Sequence, residues 1–144
     1  MFTTDRLILR PFRTEDLDDM LRLWNDPLVQ RGLTNTFVIP RAPNWKDKVA
    51  EFVDNALVYV VITSKDTGAF MGMCSIGIEG SSAFAKNRNG RTDISIFPEY
   101  WNKGYGTEAL KFVVDYAFRW LALHRVSLGV CESNKGAIAS YQKL

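Results

Sequence analysis

Between Ile96 and Leu110 two glycines, Gly104 and Gly106, stand directly ahead of a long amphipathic run, with Lys103 beside them. Glycine lets backbone N–H groups converge on one point, because no Cβ intervenes. The first turn of a helix adds unpaired N–H groups and about half a positive charge. Lys103 contributes a full charge, so the segment Lys103–Thr107 predicts an anion cradle whose natural occupant is a phosphate. The plain alternative is a turn that uses glycine for geometry alone. A sharper rival is the dinucleotide pattern Gly-x-Gly-x-x-Gly/Ala, which Gly104 to Ala109 also satisfies, with Glu132 as the ribose-binding acid. Against it, six residues (98–103) separate the preceding strand from the first glycine, and only 12 follow Glu132.

Other reactive residue types are sparse. One histidine, His124, lies beside Arg125 at a helix-to-strand junction, which argues against Ser-His-Asp chemistry. With Cys74 and Cys131 as the two thiols, no zinc site of the usual ligand count can be assembled, and no metal is expected. Both cysteines fall in apolar, strand-like runs, as buried reduced thiols of a cytoplasmic protein would.

The elements that must position the cradle can be read from periodicity. Arg6–Arg10 predicts a short strand closed by Pro11. Thr14 opens a helix with Leu17, Met20, Leu21 and Trp24 on one face, stopped at Asn25-Asp26-Pro27. The stretch to Pro43 shows little periodicity, and a second helix starts at Asn44 with Trp45, Val49, Phe52, Val53 and Ala56 on one face. Leu57–Thr63 predicts a buried strand, Ser64–Gly68 a turn, and Phe70–Ile78 the returning arm of a hairpin. A polar loop, Glu79–Arg91, leads to Thr92–Phe97, where Ile94 and Ile96 alternate with Asp93 and Ser95. The helix after the glycines runs to about Leu121 and buries Leu110, Val113, Val114, Ala117, Phe118 and Leu121, with Lys111, Asp115 and Arg119 outside. A strand with Val126, Leu128 and Val130 inward and a last helix capped by Asn134, carrying Ile138, Tyr141 and Leu144, complete the order β-α-α-β-β-β-α-β-α. That order predicts one α/β domain over residues 1–144, a mixed sheet with helices on both faces.

Composition is ordinary for a globular domain: 144 residues, 47% hydrophobic, 24% charged, net charge +2. The charge excludes a strongly basic nucleic-acid footprint, and the longest apolar stretch, Ala56–Ile62, is far short of a membrane span. Asp5 and Arg6 interrupt any secretory signal core.

Three segments in order resemble the GCN5-related N-acetyltransferase (GNAT) superfamily, most closely its ribosomal-protein alanine acetyltransferase-like branch. Thr4–Pro11 with its Glu-Asp helix start is similar to that branch's opening. Ile96–Leu110 is similar to its acetyl-coenzyme A segment, and Asn134–Leu144 looks like its final Asn…Tyr helix. The family pattern Arg/Gln-x-x-Gly-x-Gly/Ala carries Trp101 at its first position here. The resemblance implies an acyl-CoA N-acyltransferase fold, a mostly antiparallel central sheet flanked by helices and splayed beside the strand that feeds the cradle. It also implies two further C-terminal strands beyond Leu144, so the domain is expected to be shortened, with an exposed edge that invites a homodimer.

By the same resemblance, acetyl-coenzyme A lies in the splay and donates its acetyl group to a primary amine, of a protein N-terminus or a small molecule, by direct attack in a ternary complex. A coenzyme A-binding module without turnover is the alternative. Ile96 and Phe97 would pair with the pantetheine, Asn102, Lys103, Gly104, Tyr105, Gly106 and Thr107 would hold the diphosphate, and the Asn134 amide would reach the cofactor from across the gap. Tyr141 would be the general acid for the leaving thiolate. Asp93, on the polar face of its strand, leads as general base, ahead of Glu79 and Glu132. The acceptor pocket would be walled by the two N-terminal helices and the Glu79–Arg91 loop.

Overall fold

The computed structural model describes residues 1–33, 37–80 and 86–144. Six strands form one sheet in sequence order: β1 (Phe2–Thr3), β2 (Leu7–Arg10), β3 (Val58–Ser64), β4 (Phe70–Ile78), β5 (Asn89–Ile96) and β6 (Arg125–Ser127). Neighbours are antiparallel except β5 and β6, which run parallel over Asn89↔Arg125 to Arg91↔Ser127. The predicted mixed, mostly antiparallel α/β sheet is therefore present. Helices α1 (Leu17–Asn25), α2 (Pro27–Leu33) and α3 (Trp45–Asn55) lie towards one face, α4 (Tyr105–Arg119) and α5 (Lys135–Tyr141) towards the other.

Two apolar clusters sandwich the sheet. Leu110, Val113 and Ala117 of α4 pack with Leu7, Leu9, Ile62, Cys74 and Ile76. On the opposite face Met20, Leu23, Trp24 and Val49 meet Met73 and Phe97. β4 and β5 approach so closely that a Cβ at Gly72 would sit 2.1 Å from the Ser95 carbonyl oxygen. The hairpin turn after β3 forms as expected, Gly68 taking φ +72° and donating to Ser64 O at 2.8 Å. At the sheet's other end a bidentate ion pair joins Arg10 of β2 to Asp16, 2.8 and 2.7 Å, just ahead of α1.

Several sequence-based expectations are corrected by tertiary context. The stretch before Pro43 contains α2, a two-turn helix too short to show a periodic stripe; its buried Gln30 bonds to Trp24 O and to the Ile39 backbone. The chain also opens with β1, a two-residue strand. α1 buries Leu23 with Met20 and Trp24, while Leu21 is half-buried, and a single 3-10 turn, Thr14–Asp16, precedes the helix. Asn89, Gly90 and Arg91 belong to β5, not to the loop, since all three pair with β6 and the last two also with β4. α4 ends at Arg119, and Phe118 is exposed while Phe112 and Tyr116 turn towards Phe2 of β1. β6 is three residues long, so Val130 lies outside the sheet and exposed, and Cys131 is in a loop, only partly buried. The central part of the Glu79–Arg91 loop, residues 81–85, lies outside the described residues, as do residues 34–36.

Candidate active site at the splay beside β5

The site begins where β5 stops being paired. Phe97 N–H donates to Met71 O at 2.9 Å, so in the alternation of an antiparallel ladder the odd residues of β5 bond to β4. Ile94 and Ile96 therefore turn their peptide groups to the other side, where the pairing with β6 ends at Arg91↔Ser127. Among the described residues no strand pairs with that side of β5 beyond this point. This is the splay that the resemblance implies. The Ile96 carbonyl is the exception, because it accepts from the Trp101 indole Nε1 at 2.7 Å. That bond staples the strand's end to the turn that follows.

The turn itself needs two left-handed residues. Asn102 has φ +59° and Gly104, the residue before α4, has φ +83°. Asparagine tolerates this region and glycine favours it. Glu108 N–H is the first to bond within the helix, to Gly104 O at 3.0 Å, and no side chain caps the start. The amides of Tyr105, Gly106 and Thr107 thus stand ahead of that bond, pointing out of the helix end. Gly106 is decisive. Its φ is not positive, and a Cβ there would meet only Ile96 Cδ1 at an ordinary 3.6 Å. Neither backbone strain nor packing calls for glycine at 106, whereas an open surface for close approach by an anion does. The residues present therefore fit a diphosphate. Lys103 does not point its charge into the cradle, since its Nζ donates to Glu99 O at 2.8 Å.

Behind the cradle lies a cluster absent from the sequence-based site. Glu108 accepts from Thr4 Oγ1 at 2.5 Å, from Arg6 N at 2.8 Å and from Arg6 Nε at 2.8 Å. Arg6 Nη1 also donates to Lys103 O at 2.9 Å, and its guanidinium lies 4.4 Å from the Tyr105 ring centroid. Burial alone would raise the Glu108 carboxyl, but these donors and the Arg6 charge hold it below its ordinary range. Glutamate near a positive helix end was the available signal.

The remaining candidates flank the gap. Tyr141, on α5, packs against the α4-side cluster; burial raises its phenol, helped by Cys74 and Asp93. Cys74 is itself fully buried, its thiol pushed up to about 12 by that burial, which makes it a poor nucleophile. Asp93 is exposed on the other face of β5, 3.6 Å from Arg91 Nε. Asn134 does cap α5, its Oδ1 accepting from Ala137 N–H at 3.1 Å, and its Nδ2 lies against Gly32 of α2. The two Nδ2 hydrogens and one lone pair of Oδ1 are left for a ligand. Glu132 and His124 are both exposed. Among the described residues no group of three His, Cys, Asp or Glu could hold a metal ion, and no helix is long and apolar enough to cross a membrane.

On the α1 side, where β5 ends, a cleft of about 630 Å³ opens between Asp18, Arg22, Asp26, Phe97 and Glu99. Three carboxylates and one guanidinium line it, the guanidinium also pairing with Asp19 at 2.9 Å. Asp18 is partly offset by Lys46, and Arg22 lies over the Phe97 ring at 4.8 Å.

Residues 6–144 match the family described as the acetyltransferase (GNAT) domain. The chain belongs to the GNAT acetyltransferase family. Among its GNAT relatives is the Bacillus licheniformis protein named uncharacterized N-acetyltransferase p20, 28% identical over 141 residues, which covers 94% of this chain and 75% of the relative. The Escherichia coli (strain K12) spermidine N(1)-acetyltransferase is 41% identical over 58 residues, 40% of this chain and 31% of that one. In fold, the chain is similar to Vibrio cholerae spermidine N-acetyltransferase, solved with CoA and spermine: TM-score 0.80, 22% identity, 97% of this chain and 80% of that one. It is also similar to a GNAT acetyltransferase from Bacillus anthracis, with TM-score 0.77 and 17% identity over 98% and 80% of the two chains.

Proposed function

We propose that this acetyltransferase moves an acetyl group from acetyl-coenzyme A to a primary amine by direct attack, the cofactor arm lying in the splay beside β5 and its diphosphate on the amides of Tyr105, Gly106 and Thr107. The observation that carries the reading is Gly106, a glycine that nothing inside the protein requires. The thioester supplies an activated acyl carbonyl. The rest is the chain's own work. The N–H and carbonyl of Ile94 and the N–H of Ile96 offer the arm an extended edge to pair with, the Ile96 carbonyl being held by Trp101. Tyr141 donates a hydrogen bond, and finally a proton, to the departing sulfur. The departing thiolate, whose thiol has a pKa near 8.5, accepts that proton uphill from a raised phenol, so Tyr141 acts late, regains its proton from solvent and rests protonated through the neutral range.

The acceptor enters from the α1 side, over the cleft at Asp18, Asp26 and Glu99. Its excess of carboxylates suits a cationic amine, and spermine sits with CoA in the Vibrio cholerae neighbour. A small polyamine or a protein N-terminus fits this description. Asp93 serves as base, directly or through water. An α-amine near pKa 8 is roughly a tenth neutral at pH 7 and needs little help, whereas an amine near 10.4 is under 0.1% neutral and needs more.

Calorimetry with CoA tests the binding half; absence of heat at millimolar ligand refutes it. Thiol release from acetyl-coenzyme A over a panel of polyamines and N-terminal peptides tests turnover. Binding without release on any amine would make the protein a CoA-binding module instead.

A further inference from the structure

We infer that Arg6 and Glu108 are a positioning pair for the diphosphate cradle, setting the direction of its amides without touching the ligand. The inference rests on the coenzyme A reading above. The two residues lie 102 apart in sequence, yet one guanidinium reaches three consecutive parts of the cradle. Nη1 bonds the Lys103 carbonyl, Nη2 sits 3.2 Å from where a Gly104 Cβ would be, and the plane covers the Tyr105 ring. Nε bonds Glu108, the residue whose own N–H closes the first helical bond to Gly104.

The Lys103 carbonyl fixes the peptide plane whose N–H belongs to Gly104, so its rotation sets where that amide points. Gly104 itself, left-handed and lacking Cβ, has broad freedom in φ and ψ. A turn built on such a residue needs an external hold to keep several amides converging, and Arg6 supplies one. Glu108 aims Arg6 and is in turn fixed by Thr4 Oγ1 and Arg6 N–H. The Arg6 side chain is 46% exposed, and exposed ion pairs contribute little to stability. Removing it thus acts on the cradle far more than on the fold: Glu108 keeps two donors.

The test compares CoA, which reaches the cradle, with pantetheine, which does not. Calorimetry is run on the full chain as wild type, Arg6→Ala and Glu108→Gln, with melting temperatures alongside. The pair predicts that both variants weaken CoA about tenfold, the effect of losing a charge-assisted bond, while pantetheine affinity stays within twofold. In turnover, KM for acetyl-coenzyme A rises in Arg6→Ala and kcat at saturation holds. A merely structural role would lower melting temperature and weaken both ligands together, and that result overturns the inference. So does CoA affinity unchanged in Arg6→Ala, or a loss in Arg6→Ala with none in Glu108→Gln, which would mean Arg6 contacts phosphate directly. Wild-type protein that fails to bind CoA removes the coenzyme reading itself, and the pair's role with it; wild-type binding with unaffected variants removes the pair alone.

Discussion

Two glycines on either side of Ile96 have opposite reasons to be glycine. Gly72 is held by the fold: its added Cβ would lie 2.1 Å from Ser95 O and 2.8 Å from Ile96 Cα, backbone atoms that cannot swing aside. Gly72→Ala is expected to cost about 3 kcal/mol or more, the upper range of overpacking, visible as a shifted denaturant midpoint. Gly106 faces space. Gly106→Val is expected to abolish CoA binding by calorimetry while the melting temperature stays within a few degrees of wild type. Retained affinity would contradict the cradle. Tyr141 belongs to the same scale: Tyr141→Phe is expected to lower kcat at least tenfold with little change in KM for acetyl-coenzyme A. Because burial raises the phenol above its ordinary value near 10, no alkaline loss of kcat below that pH belongs to Tyr141. The glycine turn and the helix it opens were legible because Gly104 and Gly106 directly precede a long amphipathic run, whereas the Lys103 charge, turned to Glu99, was not. The Arg6–Glu108 pair was not, since nothing local joins residue 6 to residue 108.

At the level of elements, Asp16 ties β2 to the start of α1. It accepts two bonds from Arg10 and one from the Arg13 N–H at 2.8 Å, and the side chains of Arg10 and Asp16 are 15% and 7% exposed. Burial would raise this carboxyl; the Arg10 hydrogen bonds, the Arg13 amide and the two positive charges outweigh it and hold it below its ordinary range. A depressed folded-state value means the stabilisation is complete above the unfolded value, near 3.9, and is lost as pH falls through the lower folded one. Acid unfolding is therefore expected to steepen below about pH 4, and Asp16→Ala, which strands the Arg10 charge, to cost about 3–5 kcal/mol at pH 7. Equal wild-type and variant stability at pH 7 would show the pair to be neutral. Elements with long, strongly patterned stretches, α4 and the β3–β4 hairpin above all, could be read from periodicity alone. α2 could not, because seven residues including Pro27 and Gly32 leave no stripe to see, and the 3-10 turn ahead of α1 is not revealed by propensity.

On the scale of the whole molecule, β5 is an inner strand whose second half, among the described residues, pairs on one side alone. Both faces there are covered, by α4 on one side and by α2 on the other, so the N–H and carbonyl of Ile94 and the N–H of Ile96 face a slot where β6 has ended. Such groups are costly unless a ligand or water satisfies them. Exchange of backbone hydrogens reads this directly. Asp93 and Ser95 bond to β4 and are expected to be protected to near the global stability, while Ile94 and Ile96, one residue away on the same strand, exchange orders of magnitude faster in the free protein. Saturating CoA should slow Ile94 and Ile96 selectively, leaving Asp93 and Ser95 almost unchanged, and at a hundredfold excess over Kd should add about 2.7 kcal/mol to the stability. Equal protection of even and odd residues in the free protein would mean that the slot is already filled by the protein itself. CoA that stabilises the fold without protecting Ile94 and Ile96 would place the cofactor arm somewhere other than along β5.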